Sequence, residues 1–217
     1  MTAEILNQIY QKLFRHFGPQ GWWPGETPFE VCVGAILTQN TNWQNVERAI
    51  KNLKERGLLE PHKLFSLPLE ELAQLIRPAG YFRVKAKRLK NFLKLLVEEY
   101  QGSLERLFAA GPELARQKLL AVSGIGPETA DSILLYAGGF PVFVVDAYTK
   151  RILLRHGLAT EEMGYEELKE LFEKNLPAQT ELFNEYHALL VACGKTYCRP
   201  RRPSCEKCPL KDLEKEF

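Results

Sequence analysis

An all-α fold is what this 217-residue sequence predicts, and three observations carry the expectation. Apolar residues recur at helical spacing along most of the chain. Helix-start residues stand ahead of those runs. The one apolar, β-branched stretch, residues 140–145, has no other stretch of its kind to pair with.

Taken in order, Ile5, Ile9, Leu13 and Phe14 mark an amphipathic first helix that Gly18 closes. Thr27-Pro28, an N-cap with proline at the first helical position, opens the second. Phe29, Val31, Val33, Ile36 and Leu37 leave that helix no polar face, so it is expected to be the buried one. Further helices are predicted over residues 43–56, 69–76, 84–100, 111–120, 127–137, 147–156, 165–175 and 180–193. Turns fall at Arg77-Pro78-Ala79-Gly80, Ser123-Gly124-Ile125-Gly126 and Gly138-Gly139. Residues 140–145 read as a buried extended connection. Lys85, Lys87, Arg88 and Lys90 read mostly as the solvated face of an amphipathic helix.

The formal charge of +2 is nearly neutral, so nucleic-acid binding would have to come from local clustering. No charged-then-apolar leader opens the chain and no apolar run nears the ~20 residues of a membrane span. A cytoplasmic protein without membrane contact is therefore expected. In a reducing cytosol, the crowding of Cys193, Cys198, Cys205 and Cys208 favours a metal site over disulfides. Cys32, in an apolar helix, reads as a small buried hydrophobe.

Two segments point to chemistry. In Ser123-Gly124-Ile125-Gly126-Pro127-Glu128-Thr129-Ala130 two helices meet through a Gly-x-Gly turn. Glycines at 124 and 126 can leave backbone N–H groups uncovered, and the next helix adds its N-terminal dipole, which together suit one DNA phosphate. A turn that simply needs glycine stays open as the plain alternative. Asp146 ends the apolar run Pro141-Val142-Phe143-Val144-Val145 and begins a helix. An N-cap carboxylate stays ionised there, and a carboxylate suits glycosidic cleavage through an oxocarbenium-like transition state.

The hairpin, the Val-Asp segment and the C-terminal cysteines together resemble the endonuclease III family over nearly the whole chain. The resemblance implies a two-lobed helix-hairpin-helix DNA glycosylase fold. Residues 25–134 form one lobe, and residues 1–24 with 135–217 form the other, with a DNA cleft between them. It makes Asp146 the catalytic aspartate, and Gly124, Ile125, Gly126 and Thr129 the phosphate hairpin. Strand-nicking members carry a lysine two residues after the second hairpin glycine; here that residue is Glu128, which cannot form a Schiff base. Base release without a lyase step follows as the expectation. Glu128 is placed in the base pocket, with its own role open.

Trp22-Trp23-Pro24 and Leu37-Thr38-Gln39-Asn40-Thr41-Asn42-Trp43 flank the buried helix. These segments resemble the 3-methyladenine glycosylase branch. The resemblance makes Trp43 and one of Trp22 and Trp23 the stacking platforms for an everted base, and Gln39 the side chain that fills the gap in the duplex. An indole attracts the positive charge of an alkylated purine. Plain core packing of the tryptophans stays open.

The cysteine spacing Cys-x4-Cys-x6-Cys-x2-Cys departs from the family's Cys-x6-Cys-x2-Cys-x5-Cys, whose fourth position here is Glu214. The reading is a [4Fe–4S] cluster with Cys193 as relocated ligand, zinc remaining the alternative. Arg199, Arg201 and Arg202, between two of the ligands, are expected on phosphate oxygens. The expected partner is double-stranded DNA with a damaged base, met by a monomer associated with the nucleoid. Oxidised pyrimidines or mismatched thymine and uracil are the rival substrates. A DNA-binding module without chemistry is the rival of a different class.

Overall fold

The computed structural model describes residues 2–213. Among these no strand forms, and twelve α-helices follow one another. They are α1 (Thr2–Phe17), α2 (Pro28–Leu37), α3 (Trp43–Glu55), α4 (Pro61–Ser66), α5 (Leu69–Leu75), α6 (Phe82–Lys94), α7 (Leu104–Phe108), α8 (Pro112–Leu120), α9 (Pro127–Ser132), α10 (Ala147–Arg155), α11 (Tyr165–Glu173) and α12 (Thr180–Thr196). The all-α expectation holds. Single π-helical turns, Leu95–Glu99 and Ile133–Ala137, complete the stretches that periodicity reads as continuous after α6 and α9. Helices α4 and α7, of 6 and 5 residues, are too short to show a period. No helix among the described residues is long and apolar enough to cross a membrane. Glu214, the position of the family's fourth cysteine, lies outside the described residues.

The chain divides into two compact units, one of Pro24–Phe140 and one of Met1–Trp23 with Pro141–Phe217. In the first, α2 forms the centre, with every residue from Phe29 to Leu37 buried. Thr27 accepts a hydrogen bond from the Glu30 backbone N–H at 3.1 Å, which satisfies one free donor of the first turn. Helices α3, α6 and α9 pack around α2, as expected for a helix with no polar face. Its one charged residue, Glu30, pairs with Lys54 at 2.9 Å.

The basic group on α6 corrects the sequence expectation. Lys85 is only 1% exposed, and its ammonium donates to the carbonyls of Leu37 and Ala79 at 2.8 and 2.7 Å. Lys90 donates to Leu64 O at 3.0 Å and to two neighbouring carbonyls, and Arg88 is half-buried. Of the four, only Lys87 is exposed. Long apolar stems let cations at core-facing positions reach helix-end carbonyls, an option that charge alone does not reveal.

In the second unit Leu6, Ile9 and Leu13 form the buried face of α1, which packs on α12; α12 also packs on α10. Residues 142–145 are buried and belong to no helix or strand, and the backbone is extended where they reach Asp146. With no sheet to satisfy them, these residues are held by side chains. Phe143 stacks on Phe172 with centroids 3.8 Å apart and meets Phe183 and Tyr186 edge-on. Its backbone N–H donates to the Glu173 carboxylate at 2.8 Å. The buried Tyr186 hydroxyl donates to the Leu6 carbonyl at 2.7 Å. This packing sets where the segment ends, at Asp146.

Candidate active site

Asp146 caps α10: its backbone is extended, and its Oδ1 accepts from the Thr149 backbone N–H at 2.7 Å. Oδ2 faces Nε2 of His187 on α12 at 3.6 Å, within ion-pair reach. The Asp146 side chain keeps 12% of its surface exposed. Burial pushes its pKa up, but His187 and the Thr149 N–H outweigh that and hold it below the ordinary aspartate value. The carboxylate is thus ionised at neutral pH and reachable.

The His187 ring lies nearly parallel to Trp22, at 5.8 Å and 11°, and Trp22 lies nearly parallel to Trp23, at 5.8 Å and 14°. Lys195 Nζ stands 5.8 Å from the Trp22 centroid, so a cation already rests against that indole. Both tryptophans are half-buried, so neither is plain core. Asp146, His187, Trp22 and Trp23 all belong to one unit. Sequence reasoning missed His187. Its only local sign is a histidine on the apolar face of a long helix, which more often marks an ordinary core residue.

The other unit holds the hairpin, Gln39, Trp43 and Glu128. Gly124 has φ +98°, and a Cβ there would fall 2.3 Å from Cγ of Arg88. Glycine is required at this turn twice over, by conformation and by the close approach of Arg88. Ile125 is buried beneath the turn and Gly126 is exposed, with Pro127 starting α9. Gln39 is half-buried rather than projecting freely. Its Nε2 donates to the Gly124 carbonyl at 3.1 Å and to Thr129 Oγ1 at 3.0 Å, and Arg88 donates to its Oε1. Trp43, half-buried at the start of α3, donates from its indole N–H to Glu47 at 2.6 Å. Glu128 is exposed in the first turn of α9.

Near the C-terminus, Cys193, Cys198, Cys205 and Cys208 line one cavity of about 400 Å³. All four are free thiols. Sγ of Cys193 and Cys208 lie 3.9 Å apart, and that contact holds the Cys208 thiol down at about 7. Arg155 donates to Cys198 Sγ at 3.2 Å, and to the Arg199 and Pro200 carbonyls at 2.9 and 3.2 Å. Arg151 donates to the Cys198 carbonyl at 2.6 Å. Two cations of α10 thereby shape the loop that carries Arg199, Arg201 and Arg202, all exposed. Among the described residues no three His, Cys, Asp or Glu side chains are placed to hold a single metal ion.

A helix-hairpin-helix turn in one unit and an ionised, helix-capping aspartate after a buried segment in the other define a class of DNA repair protein. Residues 33–178 match the HhH-GPD superfamily of base excision DNA repair proteins, and the chain belongs to that family. It is 51% identical over 212 residues to a Methanocaldococcus jannaschii protein provisionally named a DNA repair glycosylase, covering 97% of this chain and 96% of that one. Among solved structures it is similar to the H. pylori 3-methyladenine DNA glycosylase bound to 1,N6-ethenoadenine. That match has 32% identity and a TM-score of 0.75, over 89% of this chain and 97% of that one. It is also similar to a trapped endonuclease III–DNA covalent intermediate, with 25% identity and a TM-score of 0.84, over 98% and 95%.

Proposed function

We propose that the protein is a DNA glycosylase that releases an alkylated purine, such as 3-methyladenine, by hydrolysis and without cutting the strand. The observation that carries this reading is Asp146, ionised and partly exposed at a helix N-terminus. With the base turned out of the duplex, the C1′–N bond breaks and positive charge develops on the sugar. The Asp146 carboxylate stabilises that charge and orients the attacking water. A C1′–O bond forms from the water, and its proton leaves with the base or to solvent.

One of Trp22 and Trp23 serves as a stacking surface for the everted base; in the other unit, Trp43 is the second aromatic and Gln39 the gap-filling side chain that the family resemblance assigns. The hairpin from Gly124 to Thr129 and the exposed Arg199, Arg201 and Arg202 hold phosphates. Likeness to a 3-methyladenine glycosylase supports the choice of base. Glu128, in place of the amine that a Schiff base requires, supports hydrolysis alone.

The cysteine cavity would hold a [4Fe–4S] cluster through Cys193, Cys198, Cys205 and Cys208. Four thiols around one cavity, with a guanidinium on one sulfur, support that reading. When bound, the cluster ties the C-terminal loop together. Purified protein is expected to be brown, with a broad visible absorption.

Incubation with duplexes that each carry one defined lesion tests the main reading. Release of 3-methyladenine, with no borohydride-trapped adduct on abasic DNA, is expected. Release of oxidised pyrimidines alone overturns the substrate, and strong trapping overturns the hydrolytic step.

A further inference from the structure

The catalytic aspartate has two oxygens, and the chain provides a partner for each from a different helix. Oδ1 is held by the backbone of its own helix, through the Thr149 N–H at 2.7 Å. Only Oδ2 is left to be oriented from outside α10, and the group that faces it is His187 Nε2 at 3.6 Å. His187 has little freedom to stand elsewhere. It is 5% exposed on α12, and its ring lies nearly parallel to Trp22 at 5.8 Å. Trp22 in turn adjoins Trp23 at 5.8 Å. One ring thus meets the carboxylate with its edge and the paired tryptophans with its face.

We infer that His187 is a positioning residue for base release: its Nε2 fixes the second oxygen of Asp146, while its ring sets the place of Trp22. This inference rests on the glycosylase reading. It adds that the carboxylate and the aromatic pair are coupled through a single side chain. The imidazole edge, 3.6 Å from Oδ2, favours the charged form of the carboxylate despite its burial.

Two substitutions separate the roles of edge and face. His187→Phe keeps the ring and removes the N–H; His187→Gln keeps an N–H at comparable reach and removes the ring. The readouts are the single-turnover rate of base release, on whichever lesion the wild type removes fastest, and the affinity for the same duplex. His187→Phe is expected to slow release about 10- to 100-fold, the value of a bond to a charged group, with affinity within about twofold. His187→Gln is expected to keep the rate within about fivefold. In an Asp146→Asn background, His187→Phe is expected to add no further loss, since its effect acts through the carboxylate.

A His187→Phe rate equal to wild type overturns the inference and leaves the glycosylase reading standing. So does a loss in His187→Gln as large as in His187→Phe, because restoring an N–H would then rescue nothing and the edge facing Oδ2 would not be what the carboxylate needs. Full activity of Asp146→Asn, measured alone, overturns the glycosylase reading itself, and the inference falls with it.

Discussion

Gln39 Nε2 donates to the carbonyl of Gly124 across 3.1 Å, tying the turn after the buried helix to the first glycine of the hairpin. Thr129 and Arg88 complete the set on the same amide. If Gln39 enters the duplex, it must exchange these bonds, each worth about 0.5–1.5 kcal/mol, for bonds to DNA. The hairpin and Gln39 are therefore energetically linked, and a change in one should be felt at the other.

Gly124→Ala tests that link. The new Cβ would meet Arg88 and force a backbone with φ +98° on an L residue. A destabilisation of about 1–3 kcal/mol is expected, read as a lower thermal midpoint. Binding to damaged and undamaged duplex should fall by the same factor in fluorescence anisotropy, because a phosphate contact carries no sequence information.

Lys85 offers a pH signature. Burial first, and Arg88 second, push its amine down to about 8. An unfolded lysine titrates near 10.4, so between those values the unfolded chain holds a proton that the folded one has released. Stability from this group therefore rises with pH across that window. Lys85→Met strands the Leu37 and Ala79 carbonyls and is expected to cost about 1–3 kcal/mol at neutral pH. Urea midpoints of the wild type relative to the variant should rise between pH 8 and about 10.

Asp146 behaves with the opposite sign. Its folded pKa lies below the ordinary value of about 3.9, so its stabilising effect is complete above that value and is lost as pH falls through the folded one. The difference in thermal midpoint between the wild type and Asp146→Asn should shrink from about pH 6 to about pH 3. Base release by the variant should be at least about 100-fold slower at every pH, with DNA affinity retained.

Glu128→Lys should install an amine at the position where strand-nicking relatives are expected to carry one. The position is exposed in the first turn of α9, so a lysine fits without disturbing the core. Borohydride with abasic DNA is expected to trap at least about tenfold more covalent adduct with this variant than with the wild type. No gain would mean that residue 128 does not reach the sugar.

Local chemistry carried much of this protein in its one-dimensional order. Thr27-Pro28 and Asp146 announce helix starts, and the structure shows their oxygens accepting the expected backbone bonds. Such caps act over three residues, so the sequence alone suffices to find them. The Gly-x-Gly turn, the fully apolar α2 and the crowding of the four cysteines are legible for the same reason. Partner choice across the chain is not. Lys85 beneath α2, Gln39 on the hairpin and His187 beside Asp146 each depend on which distant backbone or carboxylate packing brings within a few ångströms. No pattern of spacing encodes that distance. Hydrophobic periodicity tells a helix which face to bury; only the packed core decides which polar atoms are then left facing one another.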